Sequence, residues 1–396
     1  METKRIVMTS TFFPPYHLGG DATHVRMLKD ELQGQGHEVH VLHSLDAFLL
    51  KSSGEMPASS PDPTVHAVSG PLGKWSARGT YLTGRNRRAE KELERLVAEI
   101  RPNWVHHHNV SLLGAGMLRD RGVPNIYTAH DYWLACPRSD LMYRGRATCE
   151  RRSCTSCSLA SGRPPQIWRA WREDGMVRPL RAVIAPSRFM ASKLKRFLDV
   201  DATMLPNFAP RPAERKVRAS PGEHFSFLGV LERSKGLDIV LDAFSRKEVK
   251  AELHVMGRGS LEQEVRRAER ETGGRISYKG FISGPPLWDE MASSIALLAP
   301  SVGNENSPLA CIEALSRGLP LIVSERGGLP ELVQEPACGL VSALEPEALT
   351  RSVNRLAEDP GLVRRLSEGA FIRYERYHSP ERYLASYLSL CEKVTK

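Results

Sequence analysis

Asn304–Pro320 reads NENSPLACIEALSRGLP. Ser307 and Pro308 suit an N-cap and first-turn pair, Leu309, Ile312 and Leu315 follow as an apolar i, i+3, i+6 stripe, and Gly318 with Pro320 ends the helix. Glu305 is therefore expected in the loop before a buried helix, and Glu313 about two turns inside it. A loop carboxylate can accept hydrogen bonds from ligand hydroxyls. A helical one can hold a vicinal diol such as a ribose, and the backbone N–H groups from Ser307 to Leu309 offer an anion site. The stretch reads as a sugar-nucleotide site. The same two carboxylates also suit a surface Glu and a Glu that offsets the helix dipole, so the rest of the chain has to decide.

Outward from this stretch, short apolar strands alternate with helices. Lys4–Ser10 (KRIVMTS) is a strand, and TFFPPYHLGGDATHV after it carries Pro14, Pro15 and the Gly19–Gly20 pair of a loop that ends at a helix. Ala22, Val25, Leu28 and Leu32 give that helix its apolar face, and EVHVLHS makes the next strand. A β-loop-α-β unit signals a doubly wound sheet, and a diglycine there lets the backbone approach a phosphate or sugar, or simply turns tightly. Ala47–Arg85 is weakly patterned and reads as a long loop with one strand near Val65. A helix over Arg87–Ile100, the strand WVHHHN, a helix from Leu112 and the strand NIYTAH come next. Consecutive histidines 106 to 108 alternate across a strand, so they suit a polar cleft lining better than a single metal site. His130 and Asp131 fall at a strand end, where open α/β sheets place their ligands; a packed strand-end histidine is the other reading.

Cys136, Cys149, Cys154 and Cys157 are spaced C-x12-C-x4-C-x2-C and hold four of the seven cysteines of the chain. In a reducing compartment that pattern favours a metal over disulfides, and four thiolates with a C-x2-C knuckle suit a structural tetrahedral Zn²⁺; an iron–sulfur cluster uses the same ligands. Helical residues around Trp168–Trp171, the strand RAVIAPS and a helix after Ser187 follow. Pro206–Gly222 turns to Pro, Arg and Glu without apolar period and reads as a linker. A second β/α series then begins at FSFLGV, continues through the loop LERSKG, the helix LDIVLDAF and the strands ELHVM, SYKGFIS and IALLAPS, and leads into the Glu305 loop. The last segment, SPERYLASYLSLCEKV, has apolar residues at 383, 384, 387 and 388 on one helical face.

The bulk numbers agree with two domains. The chain has 396 residues, 41% hydrophobic and 26% charged, with no apolar run of eighteen. No signal peptide is read at METKRIVMTS, so a cytoplasmic location is expected. A net charge of +9 could serve nucleic acid, an anionic membrane face or phosphorylated ligands. No basic run is interleaved with aromatics as nucleic acid would need, so no nucleic-acid partner is expected, whereas peripheral contact with the inner membrane face fits.

Several of these segments together resemble the retaining glycosyltransferases of family GT4. The Glu-x7-Glu spacing of Glu305 and Glu313, the wording ENSPL…EAL…GLP, HDYW at 130–133, the Gly19–Gly20 loop and GGLPE at 327–331 carry the resemblance, which covers almost the whole chain. It implies an α/β GT-B fold, two Rossmann-like doubly wound domains with the donor in the cleft between them. The expected division is 1–206 for the acceptor domain with a Cys-rich insertion at 136–157, 207–375 for the nucleotide-sugar domain, and 376–396 for a helix returning to the first domain. The family places donor sugar hydroxyls on Glu305, the ribose on Glu313, the diphosphate on Lys235 and the helix start at Ser307, Pro308 and Leu309, the nucleobase around Phe281, and His130 beside the donor sugar. The Arg that normally follows the strand glycine is Val230 here. Arg233 is the candidate to replace it. The implied activity is transfer of a sugar from a UDP- or GDP-sugar to a hydroxyl of a polysaccharide, lipid-linked or small-molecule acceptor, with retention, without an organic cofactor and without a metal at the diphosphate. A sugar-nucleotide epimerase or hydrolase, and a non-catalytic sugar-nucleotide-binding subunit, are the alternatives.

Overall fold

The computed structural model describes residues 2–17, 19–52, 61–145, 147–212 and 222–395, with the backbone alone for 171–174. The chain forms two compact units, Met1–Leu205 with Leu384–Lys396, and Pro206–Tyr383. The return to the first unit thus falls at Leu384, inside the last helix, rather than at 376.

In the first unit the order is β1 (Arg5–Thr9), α1 (Gly20–Gly34), β2 (Glu38–Ser44), α2 (Leu45–Lys51), β3 (Val65–Val68), α3 (Lys74–Thr83), α4 (Arg87–Ile100), β4 (Trp104–His107), β5 (Asn125–Thr128), the two-residue strands β6 (Met142–Tyr143) and β7 (Ala147–Thr148), α5 (Cys154–Ala160), α6 (Arg169–Val177), β8 (Leu180–Ala185), α7 (Arg188–Leu198) and β9 (Thr203–Met204). Seven strands make one parallel sheet in the order β3-β2-β1-β4-β5-β8-β9. Ile6, Val7 and Met8 of β1 are all fully buried, as expected of a parallel strand covered on both faces. α4 lays Ala89, Leu93, Leu96 and Ile100 into this core at helical spacing, and the Asn86 side chain caps it by accepting from the Ala89 N–H at 3.1 Å.

Three expectations change here. Ala47–Arg85 holds two helices, α2 and α3, on either side of β3, with residues 53–60 outside the described residues. Ser44 caps α2 by accepting from Ala47 N–H, and α3 ends at Gly84 in the left-handed region. Instead of a helix from Leu112 there is one 3-10 turn over Ala115–Leu118: Gly114 and Gly116 interrupt the segment, and a Cβ on Gly116 would lie 2.1 Å from Glu90 Oε1. The expected linker Pro206–Gly222 is partly outside the described residues (213–221). Its first part is packed, not loose, since Phe208 and Ala209 are buried and Tyr374 Oη donates to the Ala209 carbonyl at 3.0 Å.

The second unit runs β10 (His224–Leu228), α8 (Leu237–Ser245), β11 (Glu252–Met256), α9 (Glu262–Glu271), β12 (Ile276–Gly280), α10 (Pro285–Ser293), β13 (Ser294–Ala299), α11 (Leu309–Ser316), β14 (Leu321–Ser324), β15 (Gly339–Ser342), α12 (Pro346–Glu358), α13 (Pro360–Arg373) and α14 (Pro380–Thr395). Its six parallel strands are ordered β12-β11-β10-β13-β14-β15. α14 continues past the unit boundary, where Tyr387 Oη accepts from Trp104 Nε1 at 3.0 Å and bonds His106 Nδ1 at 2.9 Å within the first unit.

Candidate active site

In each sheet the winding reverses once, between β1 and β4 in the first unit and between β10 and β13 in the second. Such reversals splay the loops at the strand exits apart and open a crevice. In the second unit those two loops carry Lys235 and Glu305.

The β10 exit passes Gly229 and a half-exposed Val230 into a 3-10 turn at Arg233–Lys235. Ser234 C=O accepts from Val302 N–H at 3.0 Å and Gly303 N–H at 3.3 Å, tying the turn to the β13 exit. Gly236 follows at φ +74, and a Cβ there would lie 2.0 Å from the Pro300 carbonyl oxygen. Only glycine fits. Lys235 Nζ then donates to Glu305 Oε1 at 2.5 Å, and Ser301 Oγ donates to the same oxygen at 3.1 Å. Behind Glu305, Gly327 packs flat on its backbone at φ +61, where a Cβ would come within 2.1 Å of the Glu305 carbonyl oxygen; Gly328 N–H donates to that oxygen at 2.6 Å. The pair is partly exposed on both sides, and an ion pair of that kind contributes about 1 kcal/mol or less to stability. Its fixed geometry therefore argues for a binding role.

α11 starts one residue later than expected. Pro308, in extended conformation, occupies the cap position, and the Ser307 side chain caps nothing: its Oγ is buried without a hydrogen-bond partner. Pro308 has no N–H, so only Ser307 and Leu309 could offer backbone donors from that trio. Glu313 is the fifth residue of α11, little more than one turn in. Burial pushes its pKa up, the nearby Arg317 guanidinium opposes this, and among the described residues its carboxylate has no hydrogen-bond partner. Arg317 donates instead to the Glu313 carbonyl at 3.1 Å and stacks on Trp288 at 4.9 Å. Phe281 projects at the β12 exit, 61% exposed, with the Arg258 guanidinium 5.4 Å over its ring. Arg233 is exposed. Arg258, in the GRGS turn after β11, is a second cation at these exits; nothing in the sequence singles it out, since an arginine before a turn glycine is an ordinary loop residue.

In the first unit Gly19, at φ +103, leads into α1 at Gly20. Asp21 in the first turn accepts from Asn109 Nδ2 at 2.8 Å, joining the β1 and β4 exits. Behind them lies a buried group of imidazoles. His108 Nδ1 meets His130 Nε2 at 2.9 Å, the His24 ring packs edge-on to His130 at 4.9 Å, and His106 lies 3.9 Å from His108. His24, His108 and His130 bring ligand atoms within 4.8 Å of one another. His106–His108 are thus core groups rather than a cleft lining; His107 faces away and bonds Thr9 and Asn125. Burial holds His24, His106 and His108 well below the usual imidazole range and brings His130 down to about 4, so His130 is a neutral donor–acceptor. Asp131 is pushed up to about 7 by burial, against an accepted bond from Trp133 N–H at 2.8 Å and with the Asp21 carboxylate adding to the rise. His24 was not singled out in the sequence, where it is a polar residue beside an apolar stripe.

The cysteine lobe is built from the β6–β7 hairpin and α5. Its four cysteines form no disulfide. Cys157 Sγ accepts from Arg144 N–H at 3.2 Å, and Cys136 Sγ receives the backbone N–H groups of Arg138 and Leu141. Ser139, Leu141 and Arg144 take up the left-handed region between them. Among the described residues, the clusters with ligand atoms within 4.8 Å are His24/His108/His130 and His224/His254/Glu290; the thiols are near one another but not closed to that distance.

Comparison with known proteins agrees with the fold. Residues 18–210 match the family model for glycosyltransferase family 4, and residues 211–373 match glycosyl transferases group 1. The chain belongs to this glycosyltransferase family, GT4, and is a transferase of the GT-B type. It is similar to a D-inositol 3-phosphate glycosyltransferase of Streptomyces bingchenggensis, 26% identical over 94% of this chain and 86% of the relative. It is also similar to a glycogen synthase of Mycobacterium tuberculosis, 25% identical over 92% and 89%. Among solved structures, the sucrose-phosphate synthase of Thermosynechococcus elongatus superposes with a TM-score of 0.73 at 17% identity, covering 99% of both chains. Anabaena HepE in complex with UDP and glucose gives 0.66 at 15%, again over 99% of both. These two show the fold.

Proposed function

We propose that the protein transfers a sugar from a nucleoside-diphosphate sugar to a hydroxyl acceptor with retention at the anomeric carbon. The observation that carries this is the Lys235–Glu305 pair at the β10/β13 reversal, a cation and an acceptor held by two interlocked loops. In this reading donor binding draws Lys235 from the carboxylate to the diphosphate oxygens, so that the cation is already in place when charge develops on the leaving group. Glu305 accepts hydrogen bonds from the donor sugar, and Glu313, with its open carboxylate, accepts the ribose diol. Phe281 lies at the base, and Ser307 and Leu309 supply backbone donors. Arg258 or Arg233 supplies the positive charge that Val230 does not. On the first unit, Gly19 and Gly20 allow close backbone approach, and neutral His130 faces the sugar. Nucleotide release from a panel of UDP- and GDP-sugars, with and without glycan acceptors, tests the reading; release that no acceptor accelerates would favour an epimerase or hydrolase.

For the cysteine lobe we infer a structural zinc on Cys136, Cys149, Cys154 and Cys157. Support comes from the four-thiol donor set and from the backbone N–H groups that already reach Cys136 and Cys157. The zinc would hold the lobe beside His130 and take no part in transfer.

A lipid-linked acceptor at an anionic membrane face is favoured by α3. Leu72, Trp75 and Leu82 are 67%, 58% and 50% exposed, and Arg78 lies 4.3 Å over the Trp75 ring. Trp75, Arg78 and Leu82 share one helical face, the basic and aromatic combination that binds an anionic interface. Among the described residues no helix is long and apolar enough to cross a membrane. Cosedimentation with vesicles containing phosphatidylglycerol, but not phosphatidylcholine alone, is expected for the wild type and lost in Trp75→Ala/Arg78→Ala; equal binding by both proteins would remove this reading.

A further inference from the structure

β10 begins His224-Phe225-Ser226-Phe227, and β11 carries His254 opposite Ser226 in register. By strand alternation His224, Ser226 and His254 share a face, and Ser294 of β13 joins them opposite His224. An interior parallel strand normally offers apolar side chains to both layers. Here one face is polar, and His224, Ser226 and Ser294 are all nearly fully buried. That face is covered by α10, which lowers Glu290 onto it. Buried polar groups without a purpose are costly, so the patch calls for an account.

Glu290 Oε2 lies 2.7 Å from His254 Nδ1 and 3.5 Å from His224 Nε2, and the three ligand atoms fall within 4.8 Å of one another. For metal–ligand bonds of about 2.0–2.2 Å in a tetrahedron, the ligand atoms stand about 3.4 Å apart; the two measured edges bracket that value. The imidazole rings stack at 3.6 Å and 21°, which fixes both nitrogens toward the same carboxylate. His254 Nε2, on the far side of its ring, faces the Glu252 carboxylate at 4.0 Å, the outer partner that a metal-bound imidazole commonly has. In the metal-free protein Ser294 Oγ donates to the Glu290 carbonyl and bonds His224 Nε2 at 3.0 Å.

We propose that His224, His254 and Glu290 bind a divalent transition metal, Zn²⁺ by the chemistry of the set, with water in the fourth position. Side-chain exposures of 14% for His254 and 26% for Glu290 leave an entry path. Ligation moves the His254 proton from Nδ1 to Nε2, toward Glu252, and the His224 proton from Nε2 to Nδ1, which releases Nε2 from Ser294 Oγ. His224 opens β10 and His254 is the middle residue of β11, whereas Lys235 and Glu305 lie in loops beyond the strand exits, so this metal fastens α10 to the sheet and takes no part in transfer. It depends on neither the transferase reading nor the cysteine zinc.

The test uses the full chain, stripped with chelator, reloaded with Zn²⁺ and desalted, with zinc counted by elemental analysis. Glu290→Gln and His254→Gln are compared with the parent in both the otherwise unchanged chain and a Cys154→Ser/Cys157→Ser background. Each substitution should remove one zinc per chain in both backgrounds, and the rise in melting temperature that zinc gives the parent should be lost with it. Cobalt in the cysteine-substituted background should give d–d bands without thiolate charge transfer. Unchanged zinc content on substitution, or no zinc in the cysteine-substituted parent, would show a plain polar network and overturn the proposal.

Discussion

Lys235 reaches Glu305 across two loops separated by 70 positions in sequence, and in the proposed reading its nitrogen meets the departing diphosphate. Removing a charge-assisted contact of this kind costs about 2–3 kcal/mol, or roughly 30- to 150-fold in turnover. Lys235→Ala is accordingly expected to lose that much in kcat with its melting temperature nearly unchanged, because a partly exposed pair adds little to stability. Full turnover by Lys235→Ala would remove its assigned role. Both residues were legible in the sequence, since each stands in a segment with its own pattern. Arg258 and His24 were not, because one reads as an ordinary turn cation and the other as a polar interruption of an apolar stripe. Only the fold brings His24 beside His108 and His130.

At the scale of elements, the sequence was readable where polarity alternates cleanly. α4 stands between the bounds its apolar period and Asn86 cap imply, and β1, β4, β5 and β8 fall on their apolar runs. α2 and α3 were missed because their faces are poorly separated: Leu49 of α2 and Trp75 and Leu82 of α3 remain exposed, so no apolar stripe marks them. The start of α11 was misjudged because Ser307 has the chemistry of a cap but a buried position, and proline can close the helix itself. The cysteine lobe belongs to this scale too. Three non-glycine residues in the left-handed region within Ser139–Arg144, each costing about 1–2 kcal/mol, need a compensating restraint, and the proposed tetrathiolate zinc would provide one. Protein purified without chelator should carry about one zinc that Cys154→Ser/Cys157→Ser lacks, and the variant should be more readily cleaved by protease within 136–160. Equal zinc and equal protease resistance in the two proteins would leave the lobe without a metal.

The molecule as a whole carries an acid sensitivity in its first unit. His24, His106 and His108 are held well below the usual range, His43 and His130 come to about 4 and His107 to about 3, all through burial. Their folded pKa values lie below the unfolded 6.5, so the unfolded chain takes up more protons as pH falls. Stability is present above 6.5 and lost toward 4. Asp131 works in the opposite sense: folded at about 7 against 3.8 unfolded, its contribution is present below 3.8 and lost as pH rises through 7. Asp21, also raised by burial, acts in the same sense, and six imidazoles outweigh the two carboxyls. Calorimetry should show the first unit's melting temperature falling by on the order of 10 °C between about pH 7.5 and about pH 5.5; a flat or rising profile would mean that these histidines are protonated in the fold.

The central claim is that the Lys235–Glu305 pair handles a nucleotide-sugar donor, and nucleotide release across a panel of UDP- and GDP-sugars tests it most directly. The account predicts one donor turned over faster when an acceptor is supplied, with Glu305→Gln and Lys235→Ala both losing that turnover while remaining folded. Donor binding without turnover under every acceptor condition would contradict it, and would make Val230 the mark of a chain that binds sugar nucleotides without transferring them.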